Sequence, residues 1–412
     1  MKSDIDRLMM ERDLQAIIIT GGEENNVPRQ YLTNGADITG GYVIKKRGSE
    51  PILIVNAMEL EEANKSGLKV HTYYDFGWAD LIQQAEGDSA KATIGFWGRF
   101  LDELKIPPGK VGIYGTGAIN VYIEIIRNLS AAYPDYEFVG ETGLTLFDAA
   151  YATKDAAELA RMRSVAQRTS EVLQATWDFI AGHTAEPDES LVNGDGEALT
   201  IGAVKRFVLH ALLDRGLQDT GMIFAQGRDA GYPHSRGEAH MALKMGQSIV
   251  FDLFPQELGG GYYHDTTRTW CIGYAPPEVQ AAYADVANAF DVAVDGFRPN
   301  LPTHVMQEAV LNYLEGRGHQ TTRSHPGTLE GYVHGLGHGV GLNIHERPSL
   351  NHLIKTDTFQ PGMVVTIEPG VYYPERGFGV RLEDTFYVTE DGQLVSLTDF
   401  HKDLIIPLET NG

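Results

Sequence analysis

SIVFDLFPQELGGGYYHDTTRTW, residues 248–270, sets two strand-like runs on either side of a glycine triplet. SIVFD is apolar enough for a core strand and ends on Asp252. The run after Gly259-Gly260-Gly261 carries Asp265 and the strand-favouring TT and TW pairs, so it reads as the returning strand of a hairpin. A hairpin of that kind places the two carboxylates beside each other on neighbouring strands. Carboxylates that close repel unless a cation or a proton sits between them. Taken singly, each has an ordinary role, with Asp265 capping a turn through Thr266 and Thr267 and Asp252 closing a strand. As a pair they point to a ligand set.

Three further segments extend that set. HGLGHGVGLNIHERP, residues 334–348, spaces His334, His338 and His345 among four glycines. Glycine lets the backbone approach a ligand closely. The His334–His338 spacing is that of a helical zinc motif, but the adjacent glutamate is missing and the glycines disfavour a helix. VVTIEPG (364–370) and GVRLEDTF (379–386) each end a strand-like run on a glutamate, Glu368 and Glu383. A buried glutamate needs a partner. Arg381, two residues before Glu383, is expected on the same strand face, where it could order a carboxylate. Asp384 should face the other way, in a structural role. His234, in the loop GRDAGYPHS (227–235), is a candidate pocket wall. Asp252, Asp265, His338, Glu368 and Glu383 thus make four carboxylates and one imidazole, which suit hard or borderline divalent ions better than a structural zinc.

Around these segments the chain reads as two domains, 1–150 and 151–412. The first shows a helix to residue 15, then strands at 16–20, 41–46 and 51–56, a short helix at 58–65, and strands at 70–74, 92–96 and 111–114. That is a mixed α/β pattern. The second opens on a long amphipathic helix over 155–180 stopped by Gly182, followed by a helix over 198–215 and strands at 221–225, 248–254 and 261–273. Helices at 278–297 and 304–316 and strands at 363–368, 378–390 and 393–397 complete it. Residues 155–265 and 276–385 share one helix, helix, strand, strand order.

Composition narrows the function classes. The 412 residues carry 33 Lys plus Arg against 56 Asp plus Glu, a formal charge of −23. Such a chain does not suit phosphate-backbone binding, so no nucleic-acid partner is expected. Cys271 is the one cysteine, which excludes an internal disulfide and fits a reducing compartment. The opening MKSDIDRLMMERDLQ has no apolar signal core, and no stretch approaches a membrane span. A cytoplasmic protein without membrane association is the expectation.

In these motifs and their order the chain resembles the pita-bread-fold metallopeptidases, the family of methionine aminopeptidase, aminopeptidase P and prolidase, with creatinase as a non-metal relative. The catalytic resemblance spans roughly residues 155–400, and the first 150 residues resemble the creatinase-like domain of the proline-specific branch. The resemblance implies an α/β (α+β) protein with a C-terminal pita-bread domain. It implies two divalent metal ions, manganese first with cobalt or zinc as alternatives, on Asp252, Asp265, His338, Glu368 and Glu383. Asp265 and Glu383 match the bridging ligands and Glu368 the general base. His345 matches the histidine that assists the transition state, His234 and His334 the pocket histidines, and Arg381 the arginine preceding the last ligand. The implied activity is hydrolysis of the Xaa-Pro bond in small peptides with proline second, by a homodimer. A prolidase-like dipeptidase is favoured over aminopeptidase P acting on longer peptides. A silent binding protein on the same fold is the rival from another class, though such members usually lose ligands and all five are present here. One departure is a longer connection between Asp252 and Asp265 than is usual for the family.

Overall fold

The computed structural model describes residues 2–22 and 25–408 and divides the chain into two compact units, Met1–Ala150 and Tyr151–Gly412. In the first unit, six strands form one sheet in the order Lys69–Thr72, Ile52–Val55, Tyr42–Lys46, Leu14–Thr20, Gly109–Gly115 and Tyr136–Val139. The central strand Leu14–Thr20 pairs antiparallel with Tyr42–Lys46 and parallel with Gly109–Gly115. Its run AIIIT is buried throughout, as a strand covered on both faces must be.

One expected strand of this unit is a helix. Residues 92–96 lie inside Ser89–Glu103. Asp88 caps that helix by accepting from the amides of Ala90 (3.0 Å) and Lys91 (3.1 Å). Phe96, Trp97, Phe100 and Leu101 then fall on one buried face against Ile18, Ile44 and Ile54 of the sheet. The short apolar run ATIGF fits a strand locally, but the cap and the wider helical spacing decide the outcome.

The second unit repeats one plan. A long helix, Ala156–Ala181, starts on a capping box. Asp155 accepts from the amides of Ala157 and Glu158 (2.9 Å each), and Glu158 accepts from the amide of Asp155 (2.8 Å). Helix Ile201–Leu213 follows, then a four-stranded sheet in the order Ile223–Gln226, Ser248–Leu253, Thr266–Ile272 and Ile405–Ile406. The second half has helices Pro277–Gly296 and Thr303–Gly316, then a five-stranded sheet in the order Glu346–Leu350, Gly337–Gly339, Val364–Ile367, Asp384–Val388 and Leu394–Ser396. Val286, Ala289 and Ala293 of the third helix pack into one core with Val365, Ile367, Phe386 and Val388. The valine, isoleucine and phenylalanine side chains among them contribute about 1.5–3 kcal/mol each when fully buried.

The expected single strand over 378–390 is two strands. Phe378–Arg381 pairs with Gly370–Tyr373, and Asp384–Val388 pairs with Val364–Ile367. Between them Glu383 turns to the other sheet, donating its amide to the carbonyl of Thr267 (3.0 Å). The four- and five-stranded sheets of the unit therefore meet at Thr267 and Glu383. Among the described residues no helix is long and apolar enough to cross a membrane.

Candidate metal centre

Two strand registers build the centre. Ser248–Leu253 pairs with Thr266–Ile272 so that Asp252 faces Thr267. Side chains alternate along a strand, so Asp265 sits diagonally from Asp252 on the same face. In the five-stranded sheet Ile367 pairs with Asp384, and in the two-stranded ribbon that continues from it Gly370 pairs with Arg381. That register sets Glu368 opposite Glu383 at the interruption of the ladder, where the pyrrolidine of Pro369 supplies no amide. The contact between Thr267 and Glu383 brings the two carboxylate pairs together.

A cavity of about 360 Å³ opens on this junction and is lined by Asp252, Asp265, His338, Glu368 and Glu383. His234, His334, His345 and Arg381 line it as well. Asp265, His338 and Glu383 each offer a ligand atom within 4.8 Å of the others. The Nε2 of His338 lies 3.6 Å from Asp265 Oδ2 and 3.6 Å from Glu368 Oε1. Its Nδ1 donates to the carbonyl of Gly339 (3.1 Å), so Nε2 presents its lone pair to the acids. Oδ1 of Asp252 and Oδ1 of Asp265 are buried without a hydrogen-bond partner. Unpartnered buried carboxylate oxygens are costly unless a cation meets them.

Electrostatics agree with the geometry. Burial pushes the Glu368 carboxyl up to about 8, with the charge of Asp252 adding to the rise and Arg381 opposing it. Asp265 and Glu383 are held well above the usual carboxylate range, first by burial and then by neighbouring acids, Asp252 for Asp265 and Asp265 for Glu383. Burial lowers His338 to about 3, with His345 adding to the effect, and lowers His334 to about 3, with Arg381 adding. Without a cation the cluster favours protonated acids and neutral imidazoles, the state of a site that lacks compensating positive charge. A hard or borderline divalent cation supplies that charge, and the oxygen-rich donor set with one neutral imidazole fits it.

Arg381 is held on every side. Its Nε donates to Thr267 Oγ1 (3.0 Å), one terminal nitrogen to the Tyr372 hydroxyl (2.9 Å) and the carbonyl of Pro233 (3.2 Å), and the other to Asp252 Oδ2 (2.6 Å). Thr267 in turn donates to Glu383 Oε2 (2.8 Å). The His334 Nδ1 donates to the carbonyl of Gly335 (2.7 Å), so its Nε2 accepts from the Tyr372 hydroxyl (2.8 Å). A directed chain therefore runs from Arg381 through Tyr372 to His334. The rings of His345 and His338 meet edge to face at 4.4 Å. His234 is exposed, in the loop after strand Ile223–Gln226. Asp384 faces away from the cavity, paired with Arg268 (2.8 Å) and Lys402.

Sequence reasoning missed Tyr372 and Thr267, which connect the acids, and the buried pair Lys154–Glu346 (2.8 Å) beside His345. The alternation in GVYYP could have singled out Tyr372, whose phenol and that of Tyr373 point to opposite faces. Nothing in the sequence pairs Lys154 with Glu346.

The model of metallopeptidase family M24 matches residues 160–390. YkvY of Bacillus subtilis is 37% identical over 202 residues, 48% of this chain and 51% of that protein, so the chain spans about half the length of that curated relative. The Xaa-Pro dipeptidase of Lactobacillus delbrueckii subsp. lactis is 25% identical over 358 residues, 84% of this chain and 83% of that protein. Among solved structures, the prolidase of Pyrococcus horikoshii OT3 superposes with a TM-score of 0.74 over 98% of this chain and 99% of that chain, at 22% identity. The likeness extends to the whole mixed α/β architecture and its C-terminal pita-bread fold.

Proposed function

From the premise that the chain belongs to metallopeptidase family M24, we propose that it hydrolyses Xaa-Pro bonds with divalent metal, as a prolidase-like dipeptidase. The observation that carries this is the gathering of Asp252, Asp265, His338, Glu368 and Glu383 on one cavity with two carboxylate oxygens unpartnered. Those five side chains would hold two divalent ions, with manganese as the first candidate. Bound divalent metal supplies Lewis acidity and a nucleophilic water at neutral pH.

The remaining work falls to this chain's own groups. Glu368 takes the proton of the attacking water and returns it to the proline nitrogen as the amide bond breaks. That nitrogen leaves as a secondary amine, so its protonation is required for departure. His345 donates to the developing oxyanion. Arg381, bonded to Asp252 and to Thr267 beside Glu383, holds the acids of both sheets in register. Ile223, Pro233, Phe254 and Ile344 give the cavity an apolar wall for the proline ring.

The test is hydrolysis of Xaa-Pro dipeptides and Xaa-Pro-Yaa tripeptides by metal-loaded protein, with and without chelator. Chelator-sensitive cleavage with dipeptides preferred is the expected result. Preference for tripeptides would move the reading to aminopeptidase P. A metal-loaded protein that cleaves neither would remove the peptidase reading.

A further inference from the structure

Two arginines border the cavity, and they differ in what they already hold. Arg381 is committed to Asp252, Thr267, Tyr372 and a backbone carbonyl. Four of its five N–H donors are engaged, so no open edge remains to grip a ligand's carboxylate bidentately. Arg236 also lines the cavity; it is exposed, and among the described residues its guanidinium makes no hydrogen bond or ion pair. Its backbone is held, because its carbonyl accepts from the ammonium of Lys205. The guanidinium itself lies against Gly221, where a Cβ would come within 2.9 Å of a terminal nitrogen. Gly221 adopts φ +127°, a region that side chains rarely tolerate. The glycine thus leaves room for the exposed Arg236 side chain at the cavity's edge, where water and a ligand's anion can both reach its donors.

We infer that Arg236 is the specificity residue that grips the free C-terminal carboxylate of a dipeptide. The inference rests on the peptidase reading above and names what selects substrate length. In a dipeptide only the proline nitrogen and Cα separate the scissile carbonyl from the terminal carboxylate. A substrate seated at the acids therefore presents that carboxylate to the wall of the same cavity. The planar fork of arginine matches a carboxylate bidentately. In a longer peptide the same carbon is an uncharged amide, and the fork gains no counter-charge. Two cavity arginines with divided duties, one ordering the ligand acids and one awaiting an anion, explain why both are present.

The test compares acids with their C-terminal amides. Reduced dipeptide analogues, in which CH2 replaces the scissile carbonyl, are titrated by calorimetry into metal-loaded protein. The set includes Ala-Pro, Leu-Pro and Ala-Ala frames, each as acid and as amide. Wild type should bind the acids about 10- to 100-fold more tightly, the size of a charge-assisted hydrogen bond. Arg236→Ala should collapse that ratio towards unity, and Arg236→Lys should restore part of it. Equal binding of acid and amide by wild type, a ratio unchanged in Arg236→Ala, or no binding of any acid would each overturn the inference. Loss of the Xaa-Pro reading shows separately, as absence of turnover on cleavable Xaa-Pro peptides, while the acid-to-amide ratio still reports on Arg236.

Discussion

Glu368 and Tyr372 illustrate how single side chains acquire roles from their neighbours. Burial and Asp252 raise the Glu368 carboxyl, so it is suited to carrying a proton between water and a leaving amine. Glu368→Gln keeps the shape and removes the titrating oxygen. It should lower kcat by about 10²–10⁴-fold in steady-state assays of the metal-loaded protein. Survival of more than a tenth of wild-type kcat would exclude Glu368 as the proton carrier. Tyr372 is fully buried and connects Arg381 to His334. Tyr372→Phe leaves an arginine donor and a histidine acceptor unpaired, at a cost of about 1–3 kcal/mol. Urea unfolding should show that loss, and an unchanged midpoint would mean water replaces the hydroxyl. Glu368 was legible in VVTIEPG because an acid ending a buried strand demands a partner. Tyr372 was not, because its importance depends on two residues that approach it only after folding.

Helices and strands in this protein follow their local signals except where a wider context outweighs them. The Asp155 capping box and Gly182 delimit the long helix within a residue or two of its sequence pattern. Asp155→Ala should cost about 0.5–2 kcal/mol, read as a lower Tm. The helix Ser89–Glu103 is masked locally by a five-residue β-prone run, because the signal that starts it is the Asp88 cap ahead of that run. The break at Leu382–Glu383 was equally hidden. It arises because Glu383 pairs its backbone with Thr267 of another sheet, a partner more than a hundred residues away. Lys154, just ahead of the long helix, donates to Glu346 (2.8 Å), with both side chains 2% exposed. Lys154→Met strands the glutamate and should destabilise by about 3–5 kcal/mol, while Lys154→Met with Glu346→Leu should recover most of it. A double-mutant cycle in denaturant measures the difference, and additive losses would show that the pair does not interact.

Across the whole second unit, the acids and histidines of the centre link stability to pH. Without metal, folded Glu368 keeps its proton up to about pH 8, whereas the unfolded residue releases it near the ordinary carboxylate value. The folded state then binds more protons, so stability falls as pH rises through that window. His334 and His338, lowered to about 3, act oppositely, since the unfolded chain binds their protons up to the ordinary imidazole value. Above about pH 6.5 only the acid contribution remains. Metal-free protein should therefore lose Tm between about pH 6.5 and 8, and saturating divalent metal should raise Tm most at the upper end. Scanning calorimetry with and without chelator checks this, and a metal-free Tm that rises over that interval would contradict it. The chemistry was present in the chain as five candidate ligands in family order, each in a strand-like or glycine-rich context, because residue type and strand periodicity are local properties. Folding alone decided that Thr267 and Glu383 join the sheets, that Arg381 is bonded to Asp252, and that Arg236 stands at the cavity's edge. Those facts depend on contacts between residues far apart in sequence, and local patterning carries no information about such contacts.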